Sequence, residues 1–113
     1  MHELGITQNI VDIAQQHALD QGAQKVLSVT VAVGDLSGVI AEAVEFCFEV
    51  CCKNTLLEQA QLIIQRIPGR GRCRECGADI DLDTTTFSCP ACGGFALETV
   101  SGQELSIKEM EVE

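Results

Sequence analysis

The first clear periodicity in the chain runs from about Leu4 to Asp20. Turned at about 100° per residue, Ile6, Ile10, Val11, Ile13 and Ala14 fall on one broad side. Gln8, Asn9, Asp12, Gln15, Gln16 and Asp20 fall on the other. That spacing predicts an amphipathic helix, and Gly22 is suited to stop it. From Lys25 to Val33 the period changes to two. Leu27, Val29, Val31 and Val33 alternate with Ser28, Thr30 and Ala32, the pattern of a strand, and Gly34 and Gly38 then break the chain. A second helix is expected over about Val39 to Lys53. Its polar stripe is narrow (Glu42, Glu45, Glu49, Lys53), and the rest of its circumference is apolar, including Val44, Phe46, Phe48 and Val50. A strand near Leu62 to Ile67 follows, and a last one from Glu104 to Val112. In the last, Leu105 and Ile107 are out of step with Met110 and Val112, which predicts a bulge or twist near Lys108-Glu109.

Strand, helix and strand across residues 25–67 leave enough chain for a crossover between parallel neighbours, and the final strand can join them antiparallel. The expected fold class is therefore α+β: a small mixed three-stranded sheet with two helices on one face, interrupted by an inserted four-cysteine zinc-ribbon module. With 113 residues there is room for one sizeable core. The expected division is a discontinuous α+β domain of residues 1–67 and 99–113, with a zinc-binding domain of residues 68–98 inserted after Pro68-Gly69.

The insertion carries Cys73-Arg74-Glu75-Cys76 and Cys89-Pro90-Ala91-Cys92, two CxxC pairs separated by twelve residues. Two intervening residues let both thiolates of one turn face one cation, and two such turns supply the tetrahedral sulfur set that zinc prefers. Gly77 and Gly93-Gly94 suit the tight turns that aim amides at sulfur. A redox dithiol needs only one such pair, and iron–sulfur clusters usually space their cysteines differently. Four thiolates also close the coordination shell, so the zinc is structural and no catalytic residue is assigned. Apolar support is sparse: Ile80, Leu82, Phe87, Phe95 and Leu97. Of the other cysteines, Cys47 and Cys51 lie in the apolar face of the second helix and are expected in the core. Cys52 lies nearer its flank, as a partly buried thiol.

Apolar residues make up 46% of the chain, as in a globular protein, and seventeen acids against seven bases give a formal net charge of −10. Such a field repels phosphate backbones and anionic membranes, so neither nucleic acid nor membrane is an expected partner. No stretch reaches the ~20 apolar residues of a membrane span, and Met1-His2-Glu3 does not open a secretory leader; a cytoplasmic location is expected. Arg66, Arg70, Arg72 and Arg74 are four of the seven cations. They read as a solvated linker, with a docking patch for an acidic surface as the sharper alternative. A zinc-ribbon adaptor or nucleic-acid-binding module is the competing functional class.

The N-terminus carries a second metal chemistry. A histidine at position two can fold its imidazole back toward the terminal amine, and deprotonated backbone amides can complete a square of nitrogens. That geometry suits Ni(II) and Cu(II) rather than zinc. A histidine at this position also occurs by chance at termini that do nothing. His17, the other histidine, falls within the apolar side of the first helix and is expected as a core or helix-end residue.

The start Met1-His2-Glu3-Leu4, the acidic two-helix body, the inserted ribbon and the ending Ile107-Lys108-Glu109-Met110-Glu111-Val112-Glu113 together resemble the HypA/HybF family of hydrogenase nickel-incorporation proteins. The resemblance covers the whole chain. It implies a non-enzymatic metallochaperone with Ni(II) as transient cargo and Zn(II) as a structural ion, serving maturation of [NiFe]-hydrogenase. It further implies a HypB-type nickel GTPase and the hydrogenase large subunit as partners, with the chain itself a monomer or weak homodimer. The implied nickel ligands are His2 through its side chain, Met1 through its amine, and Glu3 through its amide with its carboxylate as a further donor. The implied zinc ligands are Cys73, Cys76, Cys89 and Cys92. Some members place a histidine directly after a CxxC; here Gly77 and Gly93 stand there, and an acid response of the zinc site is not implied.

Overall fold

In the computed structural model, which describes residues 3–113, both expected helices and all three expected strands form, with three further short strands in the insertion. Helix α1 (Glu3–Asp20) buries Thr7, Ile10, Val11, Ala14 and Ala18. Its end is a paired cap: the Gly22 N–H donates to the Leu19 carbonyl and the Ala23 N–H to the Ala18 carbonyl, both at 3.0 Å. Gly22 takes φ 72°, a left-handed conformation that glycine adopts without steric cost. The buried stripe is narrower than the sequence pattern suggests. Ile13 lies about 120° around the wheel from Thr7 and is 62% exposed, not in the core. His17, roughly 80° off the same line, is exposed too; it sits in the last turn but not in the core.

Strand β1 (Val26–Gly34) is the centre of the first sheet, whose order is β2-β1-β6. It pairs parallel with β2 (Gln61–Ile67) through the crossover helix α2 (Ala41–Cys51), and antiparallel with β6 (Leu105–Val112). The expected slip in β6 is real: Thr30 opposes Glu109 and Val31 opposes Ile107, leaving Lys108 as the extra residue. A second slip lies at Leu27, between the Val26 and Ser28 partners. It puts Val26 in the core and leaves Leu27 exposed, against the alternation expected of that strand. Val29, Val31 and Val33 pack with Leu62, Ile64, Ile107 and Met110 against the helices, and Leu57, fully buried just beyond α2, closes that core.

On α2 the buried residues are Ala41, Val44, Phe48 and Cys51, whereas Phe46 and Val50 point outward and are 79% and 55% exposed. The apolar circumference read from the sequence is thus only half used. Cys52, which caps the helix, shares the wheel sector of Ala41 and Phe48; it is buried, while Cys47 is only half-buried. The expected order of burial for these two thiols is reversed. Burial pushes the Cys52 thiol up to about 12, with the neighbouring Cys51 adding to the effect. No helix among the described residues is long and apolar enough to cross a membrane.

The second sheet has the order β4-β3-β5, from β3 (Arg70–Cys73), β4 (Asp79–Asp81) and β5 (Leu97–Ser101), all antiparallel. Its small core is Cys73, Cys89 and Ile80 with Ala78, Leu82 and Leu97 packed on them. Phe87 and Phe95 are not part of it; both are more than three-quarters exposed. Thiols fill the space that aromatic rings take in an ordinary core.

Where the two sheets meet, backbones touch. The Leu36 N–H donates to the Gly102 carbonyl at 2.6 Å, the Gly34 N–H to Glu104 at 2.7 Å and the Leu82 N–H to Gly69 at 3.0 Å. A β-carbon on Gly34 would fall inside the Gly102 carbonyl, and one on Gly102 would press on the Gly69 backbone and the Leu36 side chain. Glycine is required at these positions because the chains approach too closely for any side chain. Gly34→Ala is accordingly expected to destabilise the protein by about 1–3 kcal/mol or more in urea unfolding. Gly5→Ala, where a β-carbon meets nothing within 4 Å, is expected to stabilise it by ~0.4–1 kcal/mol. Equal effects at the two sites would contradict the packing described.

Candidate metal centre

The two CxxC turns are built alike. In the first, the Gly77 N–H donates to the Cys73 carbonyl at 2.8 Å and the Cys73 N–H to the Ala78 carbonyl at 3.0 Å. In the second, the Gly93 N–H donates to Cys89 at 2.7 Å and the Cys89 N–H to Gly94 at 2.8 Å. Gly77 and Gly93 take φ 76° and 75°, which lets each turn reverse immediately after its second cysteine. β3 delivers the first turn, and pairing of Cys73 with Leu97 of β5 brings the chain after the second turn alongside it.

The result is convergence of Cys73, Cys76, Cys89 and Cys92, whose sulfurs all lie within 4.8 Å of one another. Cys73 Sγ is 3.6 Å from Cys92 Sγ, and Cys76 Sγ is 3.6 Å from Cys89 Sγ. Zinc–sulfur bonds of about 2.3 Å in a tetrahedron require sulfur–sulfur edges near ~3.8 Å, so these distances fit zinc. Amides complete the surroundings: the Ala91 N–H reaches Cys89 Sγ and the Gly94 N–H reaches Cys92 Sγ, both at 3.4 Å. Such donors stabilise negative sulfur. The backbone amide of Cys92, followed by that of Ala91, lowers the Cys89 thiol to about 7, and burial opposes them. The Gly94 amide lowers Cys92, but sharing with Cys73, burial and the other two thiols outweigh it and raise that group to about 12. Thiols this close cannot all ionise by themselves; a dication is what makes four thiolates compatible. The cluster suits a structural zinc with a closed shell, able to hold the ribbon together but with no open position for substrate.

The ribbon arginines are neither a linker nor a free basic patch. Arg70 pairs with Asp81, Arg72 with Asp79 at 3.3 Å and Arg74 with Glu98 at 2.9 Å, while Arg66 reaches Glu42 on α2 at 2.6 Å. Arg70 and Arg72 stand directly opposite Asp81 and Asp79 in the sheet. These pairs are exposed and worth roughly 0.2–1 kcal/mol each, but they leave no net positive face for an acidic partner. For Arg70 and Arg72 the register of β3 against β4 decides the pairing, and no linear pattern displays it.

Of the nitrogen site expected at the N-terminus, Met1 and His2 lie outside the described residues. Glu3 begins α1 and is partly buried. Its Oε2 is buried without a hydrogen-bond partner among the described residues, as is the Thr7 hydroxyl one turn on. A carboxylate oxygen withdrawn from water without a partner costs free energy unless a cation or donor meets it.

Comparison with known proteins agrees with this geometry. A family model described as "Hydrogenase/urease nickel incorporation, metallochaperone, hypA" matches residues 1–112. The hydrogenase maturation factor HypA of Geobacter metallireducens is 50% identical over 113 residues, the full length of both chains. That of Geotalea uraniireducens is 49% identical, again over both full lengths. Among solved structures, the solution structure of the Ni metallochaperone HypA from Helicobacter pylori superposes with a TM-score of 0.70 at 21% identity, covering 99% of this chain and 97% of that one. A further HypA solution structure gives 0.73 at 20% identity, covering 100% and 97%. At those identities the structural likeness speaks for the fold alone.

Removing zinc with a strong chelator is expected to abolish the β3–β4–β5 sheet while the α1 and α2 helical signal in far-ultraviolet circular dichroism persists. Cys89→Ser should lower bound zinc from one per chain to near zero. Full zinc retention in that variant would show that the four thiols do not act as one site. In the zinc-loaded protein, alkylation at pH 8 should modify Cys47 well before Cys52, as mass spectrometry of the peptides would report; the reverse order would contradict their burial.

Proposed function

The chain belongs to the HypA family of hydrogenase and urease nickel-incorporation metallochaperones, and from that premise we propose that it carries Ni(II) at its N-terminus for maturation of [NiFe]-hydrogenase. Its cargo ligands are the Met1 amine, the His2 imidazole and intervening backbone amides, with Glu3 adding its amide and its carboxylate. The observation that carries the assignment beyond family membership is the Oε2 of Glu3 at the start of α1, buried without a hydrogen-bond partner among the described residues.

The chemistry suits delivery rather than catalysis. Amide nitrogens bind nickel only when deprotonated, so loading releases protons and acid reverses it. Ligands clustered at a chain terminus exchange one at a time, which lets a recipient site take the ion without a bare intermediate. The zinc module contributes shape instead: it folds around its own ion and leaves the cargo site free of competing thiolates. We assign the module to residues 68–101 rather than the expected 68–98, because β5 (Leu97–Ser101) pairs within the ribbon, and set it into a nickel-binding unit of 1–67 and 102–113. The partners on this reading are a nickel-handling GTPase of the HypB type and the hydrogenase large subunit. A urease-maturation pathway is a second outlet that the family description names.

Calorimetric titration of Ni(II) into zinc-loaded protein tests the site. One nickel per chain is expected, with affinity reduced at least roughly tenfold by His2→Ala and by one extra residue ahead of Met1. Affinity should also fall steadily from pH 8 to pH 6. Binding that survives both variants, or a flat pH profile, would move nickel away from the terminal amine and amides.

A further inference from the structure

Helix α1 carries one polar residue in its buried stripe. Of Thr7, Ile10, Val11, Ala14 and Ala18, only Thr7 has a hydrogen-bonding side chain, and it is fully buried. A threonine inside a helix ordinarily spends its hydroxyl on the carbonyl three or four residues back, which here means Leu4 or Glu3. Thr7 does neither: its Oγ1 has no hydrogen-bond partner among the described residues. Valine has nearly the same shape and would fill the position without withdrawing a hydroxyl from water. As it stands, the threonine costs stability.

The other buried side-chain atom in this condition among the described residues lies one turn away. It is Glu3 Oε2. Residues four apart share a helix face, and helical side chains lean toward the N-terminus, which directs Thr7 over the turn that Glu3 begins. One atom is a donor and the other an acceptor, and in this conformation they are not bonded to each other. Two unrelated unsatisfied groups would each carry a separate cost. A donor and an acceptor left open on one face are two halves of one hydrogen bond.

We propose that Thr7 is a positioning residue for the cargo site: its hydroxyl donates to Glu3 Oε2 when the N-terminus takes up Ni(II), leaving the other carboxylate oxygen for the ion. The proposal rests on the nickel reading above, in which Glu3 contributes its carboxylate. Carboxylates that ligate a metal are oriented by hydrogen bonds from outside the ligand set, and such bonds to a charged oxygen are stronger than neutral ones. Timing matters as much as strength. A bond already present before loading adds nothing to affinity, whereas one closed on loading contributes in full to the loaded state. The open pair therefore exchanges a small loss of stability for a preference for the loaded conformation. Thr7 is held by packing in the buried stripe, so it gives the terminal ligands a rigid reference.

Calorimetric titration of Ni(II) into the zinc-loaded full chain tests this with His2→Ala, Thr7→Val, Thr7→Ser, Glu3→Ala and the double variant T7V/E3A. Thr7→Val is expected to weaken nickel binding roughly tenfold, and Thr7→Ser, which keeps the hydroxyl, to bind as the wild type does. In the Glu3→Ala background Thr7→Val should cause no further loss, because the hydroxyl acts through that carboxylate. Melting of the zinc-loaded protein before nickel is added separates positioning from a merely structural role. Thr7→Val should melt at or above the wild-type temperature, since no bond is lost. A lower melting temperature in Thr7→Val, unchanged nickel affinity in that variant, failure of serine to keep the affinity, or additive losses in the double variant would each overturn the proposal. His2→Ala distinguishes the two levels. Unchanged binding there would remove the terminal site and this role with it; loss there with full affinity in Thr7→Val would leave the terminal site standing and overturn the role of Thr7 alone.

Discussion

Three backbones meeting without side chains hold this molecule together. Gly34 ends β1, Gly69 leads into the ribbon and Gly102 leads out of it, and their mutual approach leaves no space for a β-carbon. Hydrogen bonds from Leu36 to Gly102 and from Gly34 to Glu104 fix the entry to α2 against the return of the chain into β6. Because residues 70–101 are inserted between β2 and β6, the pairing of β6 with β1 depends on the ribbon leaving and returning at nearly the same point. The glycine contact meets that requirement. It also ties the ribbon directly to the end of the central strand rather than through a flexible linker.

The two halves are stabilised by different physics. The first sheet buries valines, isoleucines and Leu57 against two helices, in an ordinary apolar core. The ribbon has only Ile80 fully in its interior besides two cysteines, too little to fold by burial alone. Four convergent thiols and a dication supply the difference, and metal binding in such small modules is worth about 10–16 kcal/mol. A closed sulfur shell is well matched to a lasting structural role and poorly matched to delivery. A nitrogen site at the chain terminus has the opposite balance, since amide ligands respond to protons and exchange stepwise. In the proposed reading, the two metals are separated by ligand type because of these demands.

Charge is distributed with equal economy. Of seven cations, four arginines and Lys25 are engaged with acids of the same chain, so the strongly acidic surface is not relieved by a basic patch anywhere on the ribbon. Outward apolar side chains, by contrast, are many: Ile13, Phe46, Val50, Phe87 and Phe95. On a small protein whose work consists of meeting other chains, aromatic and aliphatic groups held in an acidic setting are natural contact points.

The sequence by itself determined the element types, the mixed sheet, the bulge near Lys108 and the identity of the four sulfur ligands. Those are local quantities: a period of 3.6 or 2, a parity slip, a fixed spacing between cysteines. Tertiary structure decided which half of each apolar circumference is used. Ile13, Phe46 and Val50 share the hydrophobicity of Ile10, Val44 and Phe48, but only one side of each helix has a sheet or helix to meet. The same holds for Cys47 and Cys52, whose burial follows from how α2 is rolled rather than from their spacing. Arginines spread along a segment look like a basic run until strand register sets Arg70 and Arg72 opposite Asp81 and Asp79 and the fold brings Arg74 to Glu98. The glycine contact, finally, joins residues more than thirty positions apart. Nothing along a chain distinguishes a glycine that turns from one that is touched by another backbone.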